Sequence, residues 1–518
     1  MALKAIKAIK AQEKEPEPLQ GGKLLLGAFA LALSNFVVVL DTTIANVSVP
    51  HIAGGLAVSP TQATWTITSY AVADAITVPL TGWLSARFGT VRWFVFSLIG
   101  FGIFSFLCGI STSLSMLVLF RILQGLSGGP LMPLTQILLL RIFPKNRAAA
   151  GLGIWAMTTT AAPILGPILG GWISDNWTWP WIFFINLPVV ATCIIFSIRI
   201  VAPFETKRLK QPIDVVGLGL LILWVGAFQI MLDTGRDNDW FASWWITELA
   251  IVAGVGLIAF IIWELTDRHP VVDIKVLRHR GFLFPSLAIG MGFGAFFAQV
   301  VLTPLWLQQS LGYTASEAGR VVAWTGVFAV LLSPVAARLA TKVDLRVTVS
   351  MGIMWLCFVT LLRTRWDPAP DYWTLAIPHL LLGLGMPFFF IGLTQLALGA
   401  VPPNEVNSAA GIQSFMRTLS GAIGTALATT AWDNSSNVAR SEIVGRMNDA
   451  GGLLDRLQGV GLTADQARAS LERIVVGQSS TLALLHIYYI AAAVFVVAAV
   501  SVWLVPKPKK PGAMAASH

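Results

Sequence analysis

Among the charged side chains within long apolar stretches of the sequence, four are candidates for chemistry: Asp41, Asp74, Arg121 and Arg417. If those stretches cross a membrane, charges within them are costly and are usually functional or paired with one another. At about 1.5 Å per residue along a helix, Asp41 and Arg121 come to similar depths, so their charges could neutralise each other. Asp74 has no obvious cation in its own stretch. We expect Asp41 or Asp74 to bind and release a proton, with Arg121 responding to it; the alternative is that both acids only hold helices together.

Two of these charges, Asp74 and Arg121, lie in polar stripes. Residues spaced by three and four positions share one face of a helix, and a polar face at membrane depth meets a water-filled cavity or another helix rather than lipid. Near the C-terminus Gln413, Arg417, Gly421 and Gly424 repeat the theme. The members of the two stripes are Thr66, Tyr70, Asp74, Thr77 and Thr81, and then Arg121, Gln124, Gly128, Met132 and Thr135.

Phenylalanine-rich segments near residues 293–297 and 388–390 could line an apolar binding cavity, although packing is the more frequent role for any single phenylalanine. His379 and His486 also lie in apolar stretches, where nothing pairs them, and we interpret them as core histidines. The candidate substrate-binding residues are Tyr70, Gln124, Thr135, Phe293, Phe297, Gln299, Phe390, Gln413 and Arg417.

Motifs for other kinds of chemistry are missing from the sequence. It contains no phosphate-binding loop, so ATP hydrolysis within the chain is not expected. It also contains no HExxH, CxxC or GxSxG arrangement, so we expect neither an enzyme nor a metal or other cofactor. The energy source would then be an ion gradient or a partner. A membrane potential supplies roughly 2.3 kcal/mol per charge per 100 mV.

The composition is that of a membrane protein. Of the 518 residues, 55% are hydrophobic and only 12% are charged, about half the charged share of soluble domains. The net charge of +9 is spread over alternate loops, which is the positive-inside pattern and not that of a nucleic-acid-binding domain. The short loops on the opposite side, with their edges, offer only Arg236, Arg320, Arg363 and Arg365, so we expect both termini in the cytoplasm.

Fourteen stretches are apolar enough to be predicted as membrane-spanning helices, which makes the fold class all-α and polytopic. The predicted spans are 24–46, 64–84, 93–112, 115–140, 148–172, 181–201, 214–232, 243–265, 282–308, 318–340, 347–364, 373–400, 408–432 and 481–505.

The sequence repeats itself weakly. The segment 79–87 has a counterpart at 334–342, and the residues Leu-Thr-Gln at 134–136 recur at 393–395. Two matches in the same order, at nearly one offset, indicate two duplicated six-helix halves with a substrate site between them. The predicted parts are a cytoplasmic segment 1–23, a six-helix bundle 24–201, two linking transmembrane helices with their loops 202–281, a second six-helix bundle 282–505, and a cytoplasmic tail 506–518.

Residues 433–480, within the second half, are polar and long enough for a helical hairpin. Thr463 and Gln466 have the spacing of a capping box, which predicts the start of its second helix after the glycines at 459 and 461. A plain loop is one interpretation of the segment, and a docking surface for a periplasmic partner is the other.

Several segments resemble the fourteen-span drug:proton antiporters of the major facilitator superfamily, and in particular the branch that contains the EmrB multidrug exporter. Any one of these motifs is moderately specific, but together and in order they extend over nearly the whole chain. They are 40–50 (LDTTIANVSVP), 82–89 (GWLSARFG), 121–125 (RILQG), 162–171 (APILGPILGG), 181–188 (WIFFINLP), 232–240 (LDTGRDNDW) and 417–424 (RTLSGAIG).

The resemblance implies proton-driven export of drugs across the bacterial inner membrane, with a periplasmic adaptor of the EmrA type and a TolC-like outer-membrane channel. By position, Asp41 matches the family's first-helix acid and Arg121 its fourth-helix arginine. One departure is Ala86, where the loop motif often carries Asp. The residues that match the conformational motifs are Gly82, Arg87, Gly89, Pro163, Gly166, Pro167, Gly170 and Gly171.

Other functions stay open on the sequence. A related exporter of a physiological amphiphile, such as a long-chain fatty acid, would have the same features. A passive facilitator would not need Asp74 within a span, and a receptor or scaffold would show no solute flux.

Overall fold

The structure is a computed structural model that describes residues 16–144, 147–209, 212–366, 370–403, 405–447 and 450–506. Most of the predicted N-terminal segment 1–23 and tail 506–518 lies outside the described residues. Within the described ranges the regular structure is helical, without a strand. The helices are α1 (Gly21–Gly55), α2 (Trp65–Phe88), α3 (Thr90–Gly109), α4 (Leu114–Gly128), α5 (Leu131–Ile142), α6 (Ala148–Asn176), α7 (Trp181–Phe184), α8 (Asn186–Phe196), α9 (Val215–Thr234), α10 (Trp244–Thr266), α11 (Arg280–Leu311), α12 (Ala315–Lys342), α13 (Leu345–Arg363), α14 (Tyr372–Leu398), α15 (Val406–Gly445), α16 (Ala450–Gly459) and α17 (Ala464–Val502).

Each of the fourteen predicted spans lies in this set of helices, which confirms the predicted all-α fold class. Among the described residues, eleven helical segments have the length and apolar composition to cross a membrane, with α4 and α5 counted as one and α7 and α8 as one; the number is twelve if the bent α6 is counted as one span. The other two predicted spans are α2 and α15, which carry the polar stripe of Asp74 and the Arg417 segment. Both pack against other helices along these segments, as expected for polar faces at membrane depth.

Two boundaries differ from the prediction. The spans predicted at 408–432 and 481–505 continue as α15 to Gly445 and, from Ala464, as α17. Residues 433–480 are therefore extensions of two spanning helices with α16 between them, because no proline interrupts either helix. The capping box is confirmed: the Thr463 hydroxyl accepts from the Gln466 amide at 3.3 Å, and the Gln466 side chain accepts from the Thr463 amide at 2.9 Å.

The fourth predicted span, 115–140, is two helices. α4 ends at Gly128 and α5 begins at Leu131, with Gly129 and Pro130 between them. Proline has no backbone N–H to continue the helical hydrogen bonds. The predicted stripe from Arg121 to Thr135 is thus divided between α4 and α5.

The helices from α1 to α8 pack mainly on one another, and so do those from α11 to α17. Contact between these two groups runs chiefly through α6 with α12 and through α2 with α15. We call this contact between the two groups the seam. The pair α9–α10 lies outside the seam, and α9 packs on α2 and α15. The arrangement agrees with two six-helix bundles and two linking helices; the exact boundaries at 201 and 282 stay a prediction.

The two ends of the bundle are named by the ends of α1. We call the end where α1 begins the Gly21 face and the end where it finishes the Gly55 face. At the Gly21 face α2 and α15 are in close contact: a Cβ atom at Gly82 would lie 2.9 Å from Ser408 Cα. Next to it, the Asn407 amide donates to the Ser85 hydroxyl at 3.3 Å. Glycine at 82 therefore permits this approach of the two halves.

We predict that Gly82→Ala loosens the contact between α2 and α15. The added methyl group meets backbone atoms, which have little freedom to move aside. In a chain carrying Ser85→Cys and Asn407→Cys, Gly82→Ala should lower the rate of disulfide cross-linking severalfold. Gly254→Ala is the matched control, because nothing lies within 4 Å of a Cβ atom there. Equal cross-linking rates in the two variants would contradict the prediction.

Candidate functional site

The first polar cluster joins α1 to α4. Arg121 Nη1 lies 2.6 Å from Asp41 Oδ2, and both side chains are 1% exposed. Two neutral groups donate hydrogen bonds to the other carboxylate oxygen, Asp41 Oδ1: Gln124 Nε2 at 3.2 Å and Asn186 Nδ2 at 2.6 Å. The predicted proximity of Asp41 and Arg121 is thus seen as a direct ion pair, and a buried pair of this kind needs such additional hydrogen bonds.

Arg121 also has partners outside the ion pair. Its Nε donates to the Thr66 carbonyl at 3.0 Å, and its Nη1 also donates to Gln124 Oε1 at 2.8 Å. The guanidinium lies 4.2 Å from the centroid of the Tyr70 ring. We call Asp41, Tyr70, Arg121, Gln124 and Asn186 the Asp41 cluster. Tyr70 and Gln124, two predicted substrate-binding residues, are buried inside it.

Close packing of α4 on α2 brings Arg121 to this place. A Cβ atom at Gly125 would lie 2.5 Å from the Tyr70 carbonyl oxygen, and one at Gly129 would lie 2.8 Å from the Asp74 carbonyl oxygen. Any larger residue would push the two helices apart. The segment from Gly125 to Gly129 therefore packs on the polar stripe of α2 at van der Waals distance.

Asp74 lies on the same face of α2 and differs from Asp41. It is half-buried, and its carboxylate has no hydrogen-bond partner among the described residues. The cations whose charges act on it are Arg417 and Arg121. Because Arg417 belongs to α15, Asp74 faces a charge in the other half of the molecule.

Arg417 is fully buried beside aromatic rings and a sulfur atom. Its Nη2 contacts Met132 Sδ, and its guanidinium carbon lies 4.6 Å from the centroid of the Trp155 ring and 5.7 Å from that of Phe293. Its Nε and Nη1 have no hydrogen-bond partner among the described residues. The charge is thus held by ring faces and by the field of Asp74.

More of the predicted binding residues adjoin Arg417. The Phe293 ring stacks on Phe297 at a centroid distance of 4.5 Å and meets Phe390 at 5.8 Å. Gln136 Nε2 donates to Gln413 Oε1 across the seam at 3.5 Å. We call this group the Arg417 cluster; its members are Met132, Gln136, Trp155, Phe293, Phe297, Phe390, Gln413 and Arg417.

Some residues do not follow the sequence prediction. The Thr135 hydroxyl donates to the Met132 carbonyl of its own helix at 2.7 Å, and Gln299 belongs to a third cluster around Arg363. Sequence reasoning missed Trp155 and Gln136 as cluster members. The sequence contains one signal for Gln136, its match with Gln395 in the repeat, and none for Trp155. Contacts between side chains of separate helices depend on the tertiary fold, which the local sequence does not specify.

The segment 162–171 brings α6 against α1. A Cβ atom at Gly166 would lie 2.5 Å from Thr43 Cβ, and one at Gly170 would lie 3.0 Å from the Ile44 carbonyl oxygen. The helix bends by 42° between Pro163 and Ile168, and Gly171 is buried. The side chain of Pro167 lies outside the described residues. These glycines thus permit close packing beside a bend.

Comparison with known protein families and proteins agrees with the resemblance of the sequence motifs. The family model described as Major Facilitator Superfamily matches residues 31–425. The chain belongs to the major facilitator superfamily. It is 40% identical over 501 residues to "Multidrug export protein EmrB" of Escherichia coli K12, covering 96% of this chain and 98% of that protein. The EmrB of Haemophilus influenzae is 41% identical over 500 residues, with coverage of 96% and 98%.

Two further relatives bear on function and fold. "Fatty acid resistance protein FarB" of Neisseria gonorrhoeae is 38% identical over 495 residues, covering 95% of this chain and 98% of that protein. The crystal structure of the human organic anion transporter MFSD10 (TETRAN) aligns with a TM-score of 0.57, covering 92% of this chain and all of that one, at 13% identity. That likeness concerns the fold alone. The chain is a transporter of this superfamily and a multi-pass inner-membrane protein.

The superfamily's loop motif at 82–89 departs from the usual pattern at Ala86. Here α2 ends at Phe88 and is followed by Gly89, whose φ is +93°, a backbone conformation that favours glycine. An acid reaches this loop from elsewhere: the Glu205 carboxylate accepts from the Val91 and Arg92 amides at 3.1 and 2.9 Å. It thereby caps the start of α3, while the Arg87 guanidinium carbon lies 5.4 Å from the centroid of the Trp83 ring.

We predict that the Asp41–Arg121 pair is coupled in stability. Arg121→Met leaves a buried carboxylate without its cation and should lower the free energy of unfolding by about 3–5 kcal/mol. Asp41→Leu should also destabilise, but the double variant should lose clearly less than the sum. Unfolding in mixed micelles measures these values.

The exposed pair Arg440–Glu472, whose atoms lie 2.5 Å apart, serves as the control for this cycle. Its coupling should stay below about 1 kcal/mol. Additive losses at Asp41 and Arg121 would show that the two side chains do not depend on each other.

Proposed function

We propose that the chain is a proton-coupled antiporter that exports hydrophobic or amphipathic drugs from the cytoplasm or the inner leaflet, with the proton gradient as its energy source. The similarity to multidrug export proteins supports export of drugs. The observation that carries the coupling is the position of Asp74: a half-buried carboxylate without a hydrogen-bond partner among the described residues, facing Arg417 of the other half.

Asp74 is better placed than Asp41 to exchange a proton. The Asp41 carboxylate already accepts three hydrogen bonds, one of them from a guanidinium, and protonation would break up this set. Protonation of Asp74 breaks no hydrogen bond of its side chain with the described residues. It removes the negative charge opposite Arg417 and so changes the attraction between α2 and α15. In our proposal Arg121, with Asp41, positions α4 against α2.

The Arg417 cluster provides the substrate site in this proposal. Its rings offer an apolar surface, and Arg417 Nε and Nη1 offer two donors without partners among the described residues. In an environment poor in water, electrostatic interactions between Asp74, Arg417 and a bound molecule are strengthened. A substrate at Arg417 and a proton at Asp74 therefore influence each other, which is the requirement for antiport.

A physiological amphiphile is the second candidate substrate. One relative is named a fatty acid resistance protein, and Arg417 is a buried cation that could accept a carboxylate head group. The neighbouring Phe293 and Phe297 would then contact the chain of the acid. A passive facilitator is less well supported because it has no need of Asp74, and a pH-insensitive flux would favour it.

We also propose that the Gly21 face is cytoplasmic, which places both termini there. Residues at this face include Arg92, Arg199, Lys275, Arg278 and Arg280. Basic residues concentrate in cytoplasmic loops. The gate residues Gly82, Arg87 and Gly89 would then lie at the cytoplasmic entrance, and the bend of α6 between Pro163 and Ile168 would serve the conformational change.

The opposite face supports the proposal of a tripartite pump. The extensions of α15 and α17 are joined by the Arg440–Glu472 pair. Apolar side chains are exposed on both extensions, as at Val438 and Ile474, and at Val460 in the turn between α16 and α17. Exposed apolar residues beyond the spans suit a protein partner. We propose that a periplasmic adaptor of the EmrA type docks here and leads to a TolC-like outer-membrane channel.

Asp74→Asn should abolish pH-driven substrate transport in proteoliposomes, because the amide cannot take up and release a proton. Asp41→Asn should reduce transport by weakening the helix contacts, yet leave a pH-dependent flux. Glu472→Gln, in the exposed extension, is the control and should behave as wild type. Full coupling in Asp74→Asn would overturn the proposed role of Asp74.

Arg417→Gln should distinguish the two substrate classes. If long-chain carboxylates bind there, their dissociation constants should rise about tenfold or more, as expected for loss of a charged hydrogen bond, while a neutral drug should change less. Equilibrium binding to purified protein measures both, with Arg446→Gln in the exposed extension as the control. Equal weakening for both ligands would contradict carboxylate recognition by Arg417.

A further inference from the structure

A third polar cluster lies in the second half, towards the Gly55 face. Arg363 is the last residue of α13, and the sequence analysis placed it among charges at loop edges; in the structure it is 1% exposed. Its Nη1 donates to Gln299 Oε1 at 3.2 Å. The Tyr488 hydroxyl also interacts with the guanidinium, but Nε and Nη2 have no partner at hydrogen-bond distance among the described residues.

The surroundings of Arg363 are neutral. The Thr360 hydroxyl donates to Gln299 Oε1 at 3.2 Å, and the guanidinium carbon lies 5.7 and 5.9 Å from the ring centroids of Trp366 and Tyr488. No acidic side chain among the described residues forms an ion pair with Arg363. A guanidinium stays charged in proteins, and a buried charge without a counter-charge is strongly destabilising.

A small cavity lies against this charge. The space open to the centre of a water-sized sphere is about 10 Å³, enough for one small particle. Its polar lining comes from Gln299, Thr325, Arg363 and His379, and the remaining lining is apolar. The Thr325 hydroxyl is 2% exposed and has no hydrogen-bond partner among the described residues. Buried donors without partners therefore meet around one cavity.

The internal repeat shows what is different about this place. α4 begins at Leu114 and α14 begins 258 positions later at Tyr372. At this offset Arg121 corresponds to His379, and Asp41 of α1 corresponds to Gln299 of α11. The first half thus has a carboxylate at a position where the second half has a neutral amide. His379, whose Nδ1 lies 2.9 Å from the Leu375 carbonyl, supplies no negative charge either. The second half thus has a buried cation, Arg363, and an amide in place of the matching acid.

We propose that this cavity binds one small inorganic anion, of which chloride is the abundant example, as the counter-charge of Arg363. Arg363 Nε or Nη2 and the Thr325 hydroxyl would donate to it. The cavity is too small for the head group of a lipid or of a fatty acid, whereas chloride is only slightly larger than water. The site is separate from the Arg417 cluster and does not depend on the proposed transport function.

The test is equilibrium dialysis of radioactive chloride against the purified full-length protein in gluconate buffer. Wild type should bind saturably, one ion per chain, and Arg363→Gln should lose this binding. Thr325→Val should weaken it about tenfold through loss of one hydrogen bond to a charge. Arg320→Gln, an exposed position at the start of α12, is the matched control and should bind normally.

Gln299→Glu is a second variant that should lose chloride binding while keeping Arg363, and it therefore distinguishes loss of the site from misfolding of Arg363→Gln. It restores the carboxylate that the first half has at Asp41, so the chain should fold, and the internal ion pair should exclude chloride. Thermal unfolding adds a second measurement: at constant ionic strength, chloride should raise the melting temperature of wild type but not of Gln299→Glu. Absence of saturable chloride binding in wild type, or binding that survives in Gln299→Glu, would overturn the proposal.

Discussion

Burial of charge in an apolar bundle is the constraint on which the interior of this protein depends. Among the described residues, Arg121, Arg363 and Arg417 are at most 1% exposed, and each is accommodated differently. Arg121 has a carboxylate and neutral donors around it, so its charge is closed off within the first half. Arg417 has ring faces and a distant acid on the opposite half, and Arg363 has rings and an amide. The first arrangement pairs opposite charges, whereas the other two leave guanidinium donors without hydrogen-bond partners among the described residues.

Glycine positions make these arrangements possible. Gly125 and Gly129 let α4 approach the polar face of α2, and Gly166 and Gly170 let α6 approach α1. Gly82 does the same between the halves. Helices at such distances transmit small displacements, because packed interfaces do not deform continuously. A change of charge at Asp74 therefore acts on a seam in which α2 already touches α15.

Periodicity in the sequence predicts which face of a helix is polar. The position of a residue along its predicted span predicts its depth in the membrane, and so which charged residues lie at the same depth. Depth was enough to expect the contact of Asp41 with Arg121, and periodicity was enough to expect the polar stripe of α2. The capping box at Thr463 was expected from the local spacing of Thr463 and Gln466. These signals were not enough for contacts that depend on how the two halves meet, such as Trp155 on Arg417. Arg363 was misjudged because a helix end usually reaches solvent, and the acid beside Ala86 was missed because Glu205 comes from a distant loop.

The central claim is that Asp74 exchanges a proton in competition with substrate. Its most direct test is substrate-induced proton release from the purified protein in weakly buffered detergent, with a hydrophobic uncoupler as ligand, comparing wild type with Asp74→Asn and Asp41→Asn. The account predicts release in wild type, none in Asp74→Asn, and reduced but measurable release in Asp41→Asn. Undiminished release from Asp74→Asn would contradict it.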